Sequence, residues 1–255
     1  MIETLTGKKY GPFPIRVCRE KVAEFVMATG DDPNRWTDNA PPGWAASALF
    51  AVAPFLLSDR ALANRSVIHG EQRFRWSGPI VVEEEIVVSG SVSRIRERGG
   101  VWFANFDLEA GPVSGTSTFL ISGEGPARGE VAEHPERGPE QKEDGEFSAS
   151  RSDLIRYAAA TKDWNAIHWD HRSAVKAGLN GIVVHGLLQA AWIMRSVSKE
   201  QTPAEARFRF RSPLLVGESA QLSLVEQGEV VTARLSRGNE ELVAASLTLV
   251  SHQTH

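Results

Sequence analysis

Apolar and polar positions follow two periods along this chain, and the change from one to the other occurs twice in the same order. Helical spacing comes first, over residues 20–29 in the first half and 153–161 in the second, where Ser152 offers a side-chain oxygen as N-cap. A longer segment follows in each half, residues 44–57 and 186–198. Its apolar residues run almost all round, the pattern of a helix buried on every side. Period-two alternation then takes over and predicts strands. In the first half these are residues 73–76, 86–92 and 101–108; in the second they are 207–210, 220–225, 230–235 and 242–250.

Residues 123–147 separate the halves. Up to Glu146 they are rich in Glu, Gly and Pro, with Val131 as the one large apolar side chain, a composition that predicts a solvated linker rather than a packed unit. The flanking units, 1–122 and 148–255, are related. At a constant offset, Glu71, Arg73, Phe74, Arg75, Pro79, Val82 and Glu84 match Glu205, Arg207, Phe208, Arg209, Pro213, Val216 and Glu218. So many identities without a gap indicate duplication. One buried helix followed by antiparallel strands predicts a sheet wrapped around that helix, an α+β architecture present twice.

Hydrophobic residues make up 42% and charged residues 24% of the 255, the balance of a folded protein rather than a disordered one. With 28 basic against 32 acidic residues, the net charge of -4 argues against nucleic acid as a partner. A lone cysteine, Cys18, forms no intrachain disulfide. The sequence opens without a basic-then-apolar leader. Its most apolar stretch, residues 49–57, is interrupted by Pro54 and is too short to span a bilayer. These features predict a cytoplasmic protein with no membrane partner.

The residues with chemistry to offer sit after the second short helix: Asp163, Asn165 and His168, followed by Val183-Val184-His185-Gly186. A carboxylate and an imidazole on one turn can share a water molecule, Asp163 accepting a proton while His168 holds or protonates the reacting species. Asn165 can donate and accept, and so can fix the turn or the water. Gly186 opens the buried helix, where unpaired N–H groups favour negative charge, such as that developing on the carbonyl oxygen of a substrate placed there.

This constellation resembles the MaoC-like (R)-specific enoyl-CoA hydratases and 3-hydroxyacyl dehydratases of the hotdog superfamily. Their motif runs approximately Tyr, a short helical spacer, Ser/Thr-Gly-Asp-x-Asn-Pro-x-His, then an apolar-His-Gly step into the central helix. Tyr157, Thr161, Asp163, Asn165, His168, His185 and Gly186 match it in identity and order, while Lys162 and Ala166 stand at its glycine and proline. The resemblance covers both halves and implies a fused double hotdog, a degenerate unit over 1–122 and a catalytic unit over 148–255. It implies hydration at C3 of a trans-2-enoyl thioester by water that Asp163 and His168 activate. Asn165 and the Gly186 N–H would support them, with His185 and Tyr157 near the substrate. No metal or organic cofactor is implied. The partner would be an acyl-CoA or acyl-carrier-protein thioester, and a homodimer of double hotdogs is compatible with the pattern.

Two other functions compete. Hotdog thioesterases commonly carry a carboxylate on the central helix, and residues 186–198 have none. A non-catalytic acyl-thioester-binding subunit would fit the first half alone. There Asp31 aligns with Asp163, but Pro33 falls opposite Asn165 and Trp36 opposite His168, so that half is expected to line an acyl pocket. His69-Gly70 repeats the His-Gly dipeptide but leads into a strand, and is set aside. His168, Asp170 and His171 lack the spacing of a full metal-ligand set. Arg73, Arg75, Arg207, Arg209 and Arg211 alternate with aromatic or apolar positions and predict a solvated or ion-paired face rather than a nucleotide clamp.

Overall fold

The computed structural model describes residues 2–63, 65–123, 145–198 and 201–249. In the first repeat the chain runs through β1 (Lys9–Arg16), α1 (Arg19–Thr29), β2 (Asn39–Ala40), α2 (Ala45–Leu57), β3 (Ser66–Trp76), β4 (Ile80–Val81), β5 (Glu85–Arg98), β6 (Val101–Ala110) and β7 (Val113–Ser122). The second contains β8 (Glu146–Ser148), α3 (Arg151–Thr161), α4 (His171–Lys176), α5 (Gly186–Ser198), β9 (Glu205–Phe210), β10 (Ser219–Gln227), β11 (Val230–Arg237) and β12 (Glu240–Thr248).

Ten of the strands form one antiparallel sheet in the order β1-β5-β6-β7-β3-β9-β12-β11-β10-β8. Read inward from each edge, the two halves have the same strand order, as a duplicated unit requires. They join where β3 pairs with β9, with Glu71 opposite Arg209, Arg73 opposite Arg207 and Arg75 opposite Glu205. This register places a local two-fold axis beside the Arg73–Arg207 pair. Helices α2 and α5 are largely buried, which is why their sequences are apolar nearly all round. The buried side chains form a single cluster through both repeats, with Leu49, Phe74, Trp192 and Phe208 among its members.

Four local expectations need correction. The N-cap of α3 is Ser150, not Ser152. Asp153 lies three residues after Ser150 and completes a reciprocal capping box with it, its carboxylate accepting from the Ser150 N–H at 2.9 Å. Trp44 belongs to a 3-10 turn, Pro42–Trp44, that precedes α2. The end of the expected linker is strand: Phe147 of β8 is buried, stacked on Trp192 at 5.4 Å, because an apolar ring beside the second core gains more by pairing there. Strands β1 and β7 were not expected. Residues 124–144, most of the expected linker, lie outside the described residues.

Candidate active site

The turn that leaves α3 is built by its own side chains. Thr161 Oγ1 donates to the Tyr157 carbonyl at 2.8 Å and accepts from the Asp163 N–H at 3.3 Å. Lys162 takes a left-handed conformation, φ 70°, where the first repeat has Gly30 at φ 66°. Asn165 caps the short helical turn Ala166–His168, its Oδ1 accepting from the Ile167 N–H at 3.5 Å. It therefore shapes the loop that presents the two titratable groups.

His168 is fixed from the far side of the loop. Its Nδ1–H donates to the Val183 carbonyl at 2.8 Å, which leaves Nε2 as the ring's lone-pair nitrogen. Burial pushes its pKa down to about 4, against the Val183 bond, so the ring is neutral near pH 7. Asp163 is shifted the other way. Burial pushes its carboxyl up to about 7, and its opposing hydrogen bond, from the Asn165 N–H, is long at 3.4 Å. Behind the pair, the His185 ring stacks on His168 with centroids 3.8 Å apart and an interplanar angle of 23°. Its Nε2–H donates to the Asp163 backbone carbonyl at 3.2 Å.

Asp163, His168 and His185 offer ligand atoms within 4.8 Å of one another. Imidazole lone pairs lie in the ring plane, and two near-parallel stacked rings aim theirs side by side rather than at one point. The trio suits proton transfer better than coordination of one ion.

These groups open onto a cavity of about 350 Å³ between the repeats. The second repeat contributes Asp163, Asn165, His168, Gly186 and Gln189; the first contributes Phe50, Leu57, Val67, His69, Phe119 and Leu120. Gly186 sits in the first turn of α5, whose N–H groups have no acceptor within the helix. A Cβ there would approach the Phe210 ring to 3.1 Å, so glycine lets that ring pack against the start of the helix.

Tyr157 and His185, expected near the substrate, do not line the cavity. Both are completely buried behind the loop, their rings 4.9 Å apart, because α3 turns Tyr157 toward α1 and Phe25. His69, set aside from the sequence, is in the cavity wall, packed on Phe119 and Phe210, and burial pushes its pKa down to about 4. Its sequence context, a strand, carried no signal of this. The equivalent place in the first repeat is plugged. Asp31 accepts from Arg35 at 3.0 Å and from Trp36 Nε1 at 2.9 Å, and Arg195 of α5 donates to the carbonyls of Thr29 and Gly30. About 10 Å³ of space remains there, too little for a substrate.

A family model described as MaoC like domain matches residues 130–246, and one described as FAS1-like, dehydratase domain region matches residues 4–106. The chain is 36% identical over 80 residues to the mitochondrial 3-hydroxyacyl-[acyl-carrier-protein] dehydratase of Arabidopsis thaliana, covering 30% of this chain and 48% of that protein. It is 30% identical over 146 residues to a UPF0336 protein of Mycobacterium tuberculosis, covering 48% of this chain and 85% of the relative. The chain thus spans about half the length of the plant relative. The crystal structure of HtdX from Mycobacterium tuberculosis superposes with a TM-score of 0.75 at 18% identity, covering 95% of this chain and 100% of that one.

Proposed function

Because the chain belongs to the MaoC-like dehydratase family of double-hotdog proteins, we propose that it catalyses the reversible hydration of a trans-2-enoyl thioester to a 3-hydroxyacyl thioester. The observation that carries this reading is the oppositely shifted pair on the cavity wall: a carboxyl raised to about 7 and an imidazole lowered to about 4, with its free lone pair on Nε2. Such a pair holds one acid and one base ready at neutral pH.

His168 Nε2 takes a proton from water as the water oxygen bonds to C3. Asp163 delivers its proton to C2, and His168 then returns the borrowed proton to Asp163, which restores both groups. This reverses the roles read from the sequence, where Asp163 was the acceptor. Burial is the reason, since a desolvated carboxyl holds its proton and a desolvated imidazole sheds it. The Gly186 N–H donates to the thioester oxygen while negative charge develops on it. His185 holds the loop through the Asp163 carbonyl, and the first repeat supplies wall for the acyl chain.

The test is a panel of trans-2-enoyl-CoA esters of increasing chain length, followed by loss of the enoyl-thioester absorbance together with a thiol assay. Hydration of at least one ester without thiol release is the expected result. Thiol release without hydration would make the protein a thioesterase. Binding without either reaction would make it an acyl-thioester-binding subunit.

A further inference from the structure

Arg94, Arg96 and Arg98 alternate along the end of β5 and line, with Phe103 and Asn105 of β6, a surface hollow of about 410 Å³. A β-bulge puts them there. The register shifts between Val92, opposite Phe106, and Arg94, opposite Asn105, so the strand changes face at that point. Without the extra residue the three arginines would follow Val88, Gly90 and Val92 into the core. Their guanidiniums are unpaired among the described residues, whereas Arg73, Arg75, Arg207 and Arg209 all reach carboxylates. Glu97, the one acid of the hollow, accepts from the Gly100 N–H at 2.7 Å. On a chain of net charge -4, three unpaired guanidiniums around an aromatic ring form a phosphate-binding arrangement.

The sheet register connects this hollow to the active-site cavity. Arg96 is opposite Phe103, Phe103 opposite Leu120, and Leu120 opposite Ile68. Leu120 and Ile68 belong to the cavity wall, and Ile68 is 41% exposed at its rim. Three inter-strand spacings, roughly 14 Å, lie between Ile68 and Arg96. An extended pantetheine arm spans that distance.

We propose that Arg94, Arg96 and Arg98 dock the phosphorylated nucleotide end of a coenzyme A thioester whose acyl group enters the cavity at Ile68 and Leu120. The proposal rests on the thioester reading above and adds the carrier to it. The guanidiniums donate to the phosphates, and the adenine stacks on Phe103. A hollow of this size fits a nucleotide, whereas an acyl carrier protein would present a convex helical surface to it.

The test compares one enoyl group carried on coenzyme A and on pantetheine, which lacks the nucleotide. Arg96→Ala should raise KM for the coenzyme A thioester roughly tenfold, the worth of one charge-assisted hydrogen bond, with a far smaller change in kcat. KM for the pantetheine thioester should move less than about twofold, since no phosphate reaches the hollow. In calorimetry, adenosine 3′,5′-bisphosphate should bind the wild type, and Arg96→Glu should abolish that binding. Equal KM changes for the two thioesters, or none for either, would overturn the proposal. If the wild type hydrates no thioester, the hydratase reading fails, and the nucleotide titration alone still decides the docking site. Nucleotide binding by neither protein, with acyl-carrier-protein turnover lost in the variant, would assign the surface to the carrier protein instead.

Discussion

Glu71 and Glu205 occupy equivalent positions in the two repeats, and each accepts hydrogen bonds from the other repeat's arginines. Arg207 and Arg209 reach Glu71 at 2.8 and 3.2 Å, and Arg73 and Arg75 reach Glu205 at 2.7 and 2.8 Å. Duplication explains the exchange: the same Glu-x-Arg-x-Arg pattern lies antiparallel to itself across the β3–β9 joint. Partial burial works against both carboxylates, yet the arginine bonds and charges hold their pKa values below the usual range. These pairs face solvent, so each is worth about 1 kcal/mol at most. Their larger effect is on register, since a two-residue slip would set Arg75 against Arg207.

Replacing both acids, Glu71→Gln with Glu205→Gln, leaves four guanidiniums facing one another. Thermal melts at low salt should show a loss of about 1–2 kcal/mol that shrinks in molar salt. Because the folded-state pKa values are lowered, this stability is present above the ordinary glutamate value of 4.5 and is lost as pH falls through the folded value. A loss that ignores salt would mean that packing, not charge, closes the joint.

Asp163→Asn and His168→Gln should each lower kcat by about 10²–10⁴-fold. Since both act on one water and one substrate, the double variant should be little worse than the worse single. With Asp163 as the acid, wild-type hydration should decline as pH rises through about 7. A rate that climbs through the same range would return the accepting role to Asp163.

The same buried carboxyl should cost stability. Its pKa is raised from 3.8 to about 7, so the stability that this one group contributes is full below about 4 and is lost as pH rises to about 7. Asp163→Asn should therefore melt higher than the wild type at pH 8, by up to about 4 kcal/mol, with the gain fading toward pH 4. His168 opposes this trend, its lowered pKa removing stability as pH falls from 6.5 to about 4. Comparing variant with wild type at each pH isolates Asp163. Equal melting points at pH 8 would show the carboxylate to be well solvated there.

Asp31→Asn should leave turnover within about threefold of wild type, because Trp36 and Arg35 already occupy its carboxylate. It should instead destabilise the fold by about 1–3 kcal/mol, the cost of weakening charge-assisted bonds in a partly buried cluster. Denaturant melts and an activity assay on the same preparation separate the two effects. A loss of activity as large as that of Asp163→Asn would place a second site in the first repeat.

Lys162→Gly should raise stability by about 0.5–1 kcal/mol, since a left-handed lysine strains the end of α3 while Gly30 ends α1 in the same conformation without strain. Melting of the purified variant would show it. A destabilised variant would mean that the lysine side chain holds the loop.

The sequence by itself determined what depends on near neighbours. Helix α5 is legible from Gly186 to Ser198 because its apolar residues leave no polar face, and β3 and β9 are legible because their alternation is duplicated. Asp163, Asn165 and His168 stand out because six residues of one turn carry all three. By contrast, β1 holds two prolines and fully buries only Tyr10, and β7 is largely serine, threonine and glycine; both owe their pairing to strands elsewhere in the chain. Only the tertiary structure decided which nitrogen of His168 is free, because the carbonyl of Val183 comes from the loop before α5. It also decided the upward shift of Asp163, the place of His69 in the cavity wall and the turning outward of Arg94, Arg96 and Arg98. Desolvation and cavity shape are set by what packs from a distance, and a bulge by the register of a partner strand, so local spacing contains none of them.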